Sequence, residues 1–118
     1  MKYKLWIDDI RKMPEGFDIW AKTADEAITA LKTGKISHVS FDYDLGDVEL
    51  TDGPIVTWKE HEKTGYDVAA WLEKHAYIGD ISPISYAVHS ANPVGAKKIE
   101  MAMRNATIFW NLDLHKGH

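Results

Sequence analysis

Short runs of β-branched and aromatic residues, each stopped by an acid or a turn, alternate along this chain with segments whose apolar residues recur at helical spacing. Lys2 to Ile7 reads as a first strand ending at Asp8 and Asp9. Met13-Pro14-Glu15-Gly16 is turn chemistry, and Phe17 to Ala21 is a second, short strand. Thr23 with Glu26 predicts a capping box, with Ala24, Ala27, Ile28 and Leu31 on one helix face before Gly34. Ile36 to Phe41 is a buried strand running directly into Asp42. Thr64 to His75 reads as a helix with Val68, Trp71 and Leu72 on one side, ending by Gly79. Ile84 to Val88 is a further strand, and Asn92-Pro93 opens a helix with an apolar stripe of Ile99, Ala102, Met103 and Ala106. Periodicity leaves Thr107 to Trp110 open between a last edge strand and an extension of that helix.

Strands that alternate with helices predict a parallel sheet with helices on its faces, joined by right-handed crossovers. The first connection is too short for a full crossover helix, so Asp9 to Gly16 is expected to form a loop or a single turn. An antiparallel first hairpin is the competing arrangement. Residues 1–118 are expected to form one domain, interrupted by a long polar loop at about 46–63 with Gly53-Pro54 in its middle.

Composition narrows the classes. The 14 Lys plus Arg against 18 Asp plus Glu give a formal charge of −4, which argues against a broad DNA-binding surface. A small phosphorylated ligand held through a metal remains compatible with that charge. The absence of cysteine excludes disulfides, thiolate zinc sites and cysteine nucleophiles. Apolar runs fall far short of the ~20 residues that a membrane span needs, and the start of the chain lacks a signal-peptide core, so a cytoplasmic setting is expected.

In an open parallel sheet the strand ends meet along one edge, so Asp8-Asp9, Asp42-Tyr43-Asp44 and His89-Ser90-Ala91-Asn92 should gather into one pocket. Carboxylates as close as Asp8, Asp9 and Asp42 would be resist joint ionisation unless a cation neutralises them. Hard oxygen donors of this kind select Mg²⁺ or Mn²⁺. Asp44, two residues past Asp42, is a candidate general acid. His89 is a candidate general base or acid, and Ser90 and Asn92 are candidate donors to phosphate oxygens at a helix N-terminus. Arg11, Lys97 and Lys98 are candidate phosphate contacts. Trp6, Tyr43 or Tyr66 could stack a base, although core packing explains aromatic residues more cheaply.

Taken in order, Trp6-Ile7-Asp8-Asp9, Asp42-Tyr43-Asp44-Leu45-Gly46, Thr64-Gly65-Tyr66-Asp67-Val68 and His89-Ser90-Ala91-Asn92-Pro93-Val94-Gly95 resemble the cyclic-phosphate processing receiver domain, a divergent branch of the response-regulator receivers. The resemblance runs from about Lys4 to Arg104. It implies a receiver-like, flavodoxin-like three-layer α/β fold with a mainly parallel four- or five-stranded sheet, its first crossover helix reduced or missing. It also implies phosphoesterase activity on cyclic phosphates at RNA ends or on nucleotide and ADP-ribose derivatives. Asp8, Asp9 and Asp42 would then carry the metal, and His89, Ser90 and Asn92 would handle the phosphate. The strand-end lysine of an ordinary receiver has no counterpart in Phe109-Trp110-Asn111.

The leading reading is therefore metal-assisted hydrolysis of a cyclic phosphodiester on a nucleotide-like substrate, with His89 and Asp44 as proton carriers. Its rivals are a signalling module that accepts phosphate on Asp42, a phosphatase using Asp42 as nucleophile and Asp44 as acid, and a non-catalytic nucleotide binder.

Overall fold

Four of the apolar runs pair into a single parallel sheet in the computed structural model, which describes residues 2–45 and 63–112. The strands are β1 (Tyr3–Ile7), β2 (Ile19–Ala21), β3 (Ile36–Phe41) and β4 (Ser85–Val88), in the order β2-β1-β3-β4. Register is set by the buried alternate residues: Leu5 pairs with Ile19 and Val39, and Ile7 pairs with Ala21 and Phe41. Val39 and Phe41 in turn pair with Tyr86 and Val88. These residues share one face because side chains alternate along a strand. Most of the core lies against that face.

Three helices supply the rest of the core: α1 (Ala24–Lys32), α2 (Gly65–Ile78) and α3 (Pro93–Leu112). Thr23 caps α1 by accepting the Glu26 N–H at 3.1 Å. Thr64 and Asp67 make a full capping box on α2, and Gly79, at φ 88°, closes that helix in the left-handed conformation glycine tolerates. Asn92 Oδ1 accepts the Gly95 N–H at 3.0 Å and caps α3. Ala27 and Leu31 of α1, Val68 and Leu72 of α2, and Ile99 and Met103 of α3 meet the sheet in one cluster. The residues at 107–112 extend α3 rather than adding a strand, and the Trp110 indole N–H anchors that end to the Ile81 carbonyl at 2.9 Å. The sheet therefore has four strands among the described residues.

β1 and β2 run parallel, which removes the antiparallel hairpin, yet no helix connects them. Successive right-handed crossovers from β2 to β3 and from β3 to β4 step in one direction across the sheet, so they lay their helices on one face. A crossover helix between β1 and β2 would have covered the other face. Pro14 and Gly16, the latter at φ 92°, break the chain there. The expected third layer is thus reduced to the loop between β1 and β2, whose Phe17 packs edge-on against Trp6 with centroids 5.2 Å apart. Much of the uncovered face is polar or aromatic: Lys4, His38 and Ser85 form one row, and Trp6, Ser40 and Ala87 form the next.

The long loop expected at 46–63 lies, apart from Lys63, outside the described residues. Lys63 pairs with Asp25 of α1 at 2.7 Å. Among the described residues no helix is long and apolar enough to cross a membrane.

α2 begins in direct contact with β3, because a Cβ on Gly65 would run into the Asp42 carbonyl oxygen while the Gly65 N–H donates to the Tyr43 carbonyl at 2.8 Å. Replacing Gly65 by Ala should therefore force helix and strand apart and cost about 1–3 kcal/mol of stability, read as a lower urea midpoint. An unchanged midpoint would show that this close approach is not needed.

Candidate functional site

The registered row Ile7, Phe41 and Val88 ends the sheet, so the next residues, Asp8, Asp42 and His89, emerge side by side. The ladder continues one step past the strands: the Asp42 N–H donates to Ile7 and the His89 N–H to Phe41, each at 2.9 Å. Alternation returns Asp8, Asp42 and His89 to the face that carries Trp6 and Ser40. The site is built at the carboxyl edge of the sheet, on the side without helices.

Asp8 is 1% exposed. Its Oδ1 accepts the N–H groups of Ile10 and Arg11 at 2.8 and 2.7 Å, closing a tight turn straight after β1. Its Oδ2 lies 3.0 Å from His89 Nε2. The other imidazole nitrogen, Nδ1, lies 2.7 Å from Ser40 Oγ, itself only 3% exposed. The His89 ring lies flat on the Trp6 indole, with centroids 3.8 Å apart and 4° between planes. The Trp6 N–H donates to the Arg11 carbonyl at 3.0 Å, and the Arg11 guanidinium donates to the His89 carbonyl at 2.7 Å. The Trp20 indole N–H completes the frame by donating to the Asp8 carbonyl at 2.6 Å.

Asp42 is less enclosed. Burial and the charge of Asp8 push its carboxyl above the usual carboxylate range, opposed by hydrogen bonds from the Ser90 hydroxyl and the Tyr43 N–H and by His89. Burial pushes the His89 imidazole below its ordinary value, against the hydrogen bond and charge of Asp8 and the charge of Asp42. Asp8, Asp9 and Asp42 each offer a carboxylate oxygen, and these oxygens lie within 4.8 Å of one another. A depression of about 360 Å³ opens above them, lined also by Ile10, Arg11, Asp44 and Ala91. Three hard anionic donors at that separation have the composition and spacing to share one divalent cation.

The structure thus brings Asp8, Asp9, Asp42 and Asp44 together with Arg11, and places His89 behind Asp8. Ser90 stands beside Asp42, and its Oγ also accepts the Asn92 N–H at 3.1 Å. Asn92 spends its side-chain oxygen on the α3 cap. Lys97 and Lys98 are exposed on α3 and are not among the residues lining the depression; Lys98 borders a groove with Tyr66 between α2 and α3. Trp6 is taken up by its stack on His89, and the Tyr43 ring lies where a Cβ on Gly95 would go, so packing accounts for both. Sequence reasoning missed Ser40 and Trp20. A signal for Ser40 was present, because His38, Ser40 and Asp42 put polar groups at alternate positions of an otherwise apolar strand.

The family model for the cyclic-phosphate processing receiver domain matches residues 3–105, which span every strand and most of α3. The chain belongs to this family, as a receiver-like domain of cyclic-phosphate processing. No curated protein and no solved structure matches it.

The crowding at Asp42 has a measurable consequence without metal. A carboxyl whose value is raised by folding is penalised while ionised, and the penalty disappears as pH falls and the group takes up its proton. Asp42→Asn should therefore raise the melting temperature of the metal-free protein by a few degrees at neutral pH, with the difference shrinking in acid. A lower melting temperature for the variant at neutral pH would contradict the account in which burial and the charge of Asp8 penalise the ionised Asp42.

Proposed function

We propose that this receiver-like domain is a metal-dependent phosphoesterase that opens a cyclic phosphodiester on a nucleotide-like substrate. Candidate substrates are a cyclic nucleotide, an ADP-ribose derivative or a cyclic phosphate at an RNA end. The observation that carries the reading is the convergence of Asp8, Asp9 and Asp42 from two adjoining strand ends.

The residues fit a hard divalent ion, Mg²⁺ or Mn²⁺. The donors are all carboxylate oxygens, and burial, with the charge of Asp8 added to it, disfavours the ionised form of Asp42 until a cation offsets both. When bound, such an ion polarises a phosphoryl oxygen and offsets the negative charge of the substrate. Arg11, on the rim of the depression, supplies a guanidinium for the phosphate. The Asn92 amide N–H groups, unused in the cap, and the first turn of α3 add donors of the same polarity, with Ser90 steadying Asp42 beside them. Lys97, farther along α3, is left to contact an extended substrate. In hydrolysis the oxygen of water bonds to phosphorus, one ring P–O bond breaks, and the departing oxygen takes a proton. That proton is assigned in this reading to Asp44, which is exposed and borders the same depression.

A panel of cyclic phosphates incubated with Mg²⁺ or Mn²⁺ and followed for the ring-opened monoester tests the activity. Turnover supports it. A stable aspartyl phosphate on Asp42 after treatment with a small phosphodonor, without turnover, would favour a signalling role instead, and tight nucleotide binding without product would favour a binder. Asp8→Asn and Asp42→Asn should each weaken Mg²⁺ binding markedly by calorimetry, and unchanged affinity in both would remove the metal site. Asp44→Asn should keep that affinity and lower turnover ~10²–10⁴-fold, the usual contribution of a proton carrier. Full turnover in the Asp44 variant would assign the proton elsewhere.

A further inference from the structure

A carboxylate offers about four lone-pair directions. At Asp8 the fold fills three of them: two on Oδ1 with the N–H groups of Ile10 and Arg11, and one on Oδ2 with His89 Nε2. The direction left over lies on Oδ2, the oxygen that His89 holds. At 1% exposure the Asp8 carboxylate is otherwise shielded from bulk water.

His89 is equally committed. Its Nε2 faces a carboxylate oxygen and so carries the hydrogen, and its Nδ1 faces Ser40 Oγ at 2.7 Å. Among the described residues the Ser40 hydroxyl has no other hydrogen bond, which leaves it to donate to Nδ1 and fix the tautomer. Trp6 holds the ring plane, and Arg11 holds the His89 carbonyl. A side chain that carries protons to and from substrate needs a nitrogen turned to the substrate. Here both nitrogens point into the protein.

We propose that Ser40 and His89 are positioning residues: the chain Ser40–His89–Asp8 aims the remaining lone pair of Asp8 Oδ2 at the cation, and His89 is not the proton carrier that its place after a strand suggests. The inference rests on the metal reading above. It is the mirror of the common arrangement in which a carboxylate orients a metal-bound histidine, with the histidine now behind the carboxylate.

The test measures Mn²⁺ affinity from the free-ion electron paramagnetic resonance signal, with circular dichroism checking the fold, in wild type, His89→Ala, His89→Gln and Ser40→Ala. Glutamine keeps an N–H donor of similar reach and has no titrating proton. His89→Ala should weaken Mn²⁺ binding roughly 10–100-fold, the usual effect of losing an outer-sphere partner. His89→Gln should recover most of that affinity and retain turnover, and Ser40→Ala should fall between. Imidazole ¹⁵N spectra of the metal-free protein should show His89 with its hydrogen on Nε2, and a mixture of tautomers in Ser40→Ala. The inference is overturned if His89→Gln binds Mn²⁺ like wild type but loses turnover ~10²–10⁴-fold, the mark of a proton carrier. It is also overturned if His89→Ala leaves Mn²⁺ affinity unchanged. A wild-type protein that takes up no Mn²⁺ fails differently, since it removes the metal reading and this inference with it.

Discussion

A carboxylate withdrawn from water must be given hydrogen bonds, or it costs several kcal/mol. Asp8 is such a group, 1% exposed, and the architecture around it answers to that requirement. Two backbone N–H groups reach its Oδ1 only because the chain turns sharply after Ile7, and the imidazole reaches its Oδ2 only because β4 ends level with β1. Between them stands β3, which sets Asp42 against the same carboxylate. The parallel register of β1, β3 and β4 is thus the physical premise of the site.

The lost crossover helix and the site are two sides of one arrangement. In the usual doubly wound plan helices cover both faces of the sheet. Here the segment after β1 is spent on the turn that satisfies Asp8 and on the Pro14 to Gly16 break, and Trp6 and Phe17 fill part of the space that a helix would have occupied. Trp6 then backs the ring of His89. The cation bordering the depression is Arg11, tied to the end of β4 through the His89 carbonyl; no lysine is among the described residues that line it. The acidic edge of the sheet is thus framed by Arg11, Trp6 and His89.

Most of the fold was legible because its signals are local. Apolar alternation gave β1, apolar and β-branched runs gave β3 and β4, the Thr23 capping box and the face of Val68, Trp71 and Leu72 gave two helices, and Asn92-Pro93 gave the start of the third. The direction of β2 was not legible, since pairing sense depends on how a loop folds and leaves no periodicity. Nor was the fate of Thr107 to Trp110, where an apolar run suits strand and helix alike until Trp110 finds the Ile81 carbonyl. The acidic cluster could be read because aspartates at strand ends converge by topology alone. The commitment of both His89 nitrogens could not, because alternation puts Ser40 on the polar face of β3 but does not say that its hydroxyl meets a ring 49 positions away in the chain.

The central claim is that Asp8, Asp9 and Asp42 hold one divalent ion in common. Anomalous diffraction from crystals soaked in Mn²⁺ addresses it most directly, because the ion marks its own position. The account predicts a single strong peak within bonding distance of all three carboxylates, touching Asp8 through Oδ2. A peak bound elsewhere, or a map with no Mn²⁺ at this edge at saturating concentration, would contradict it.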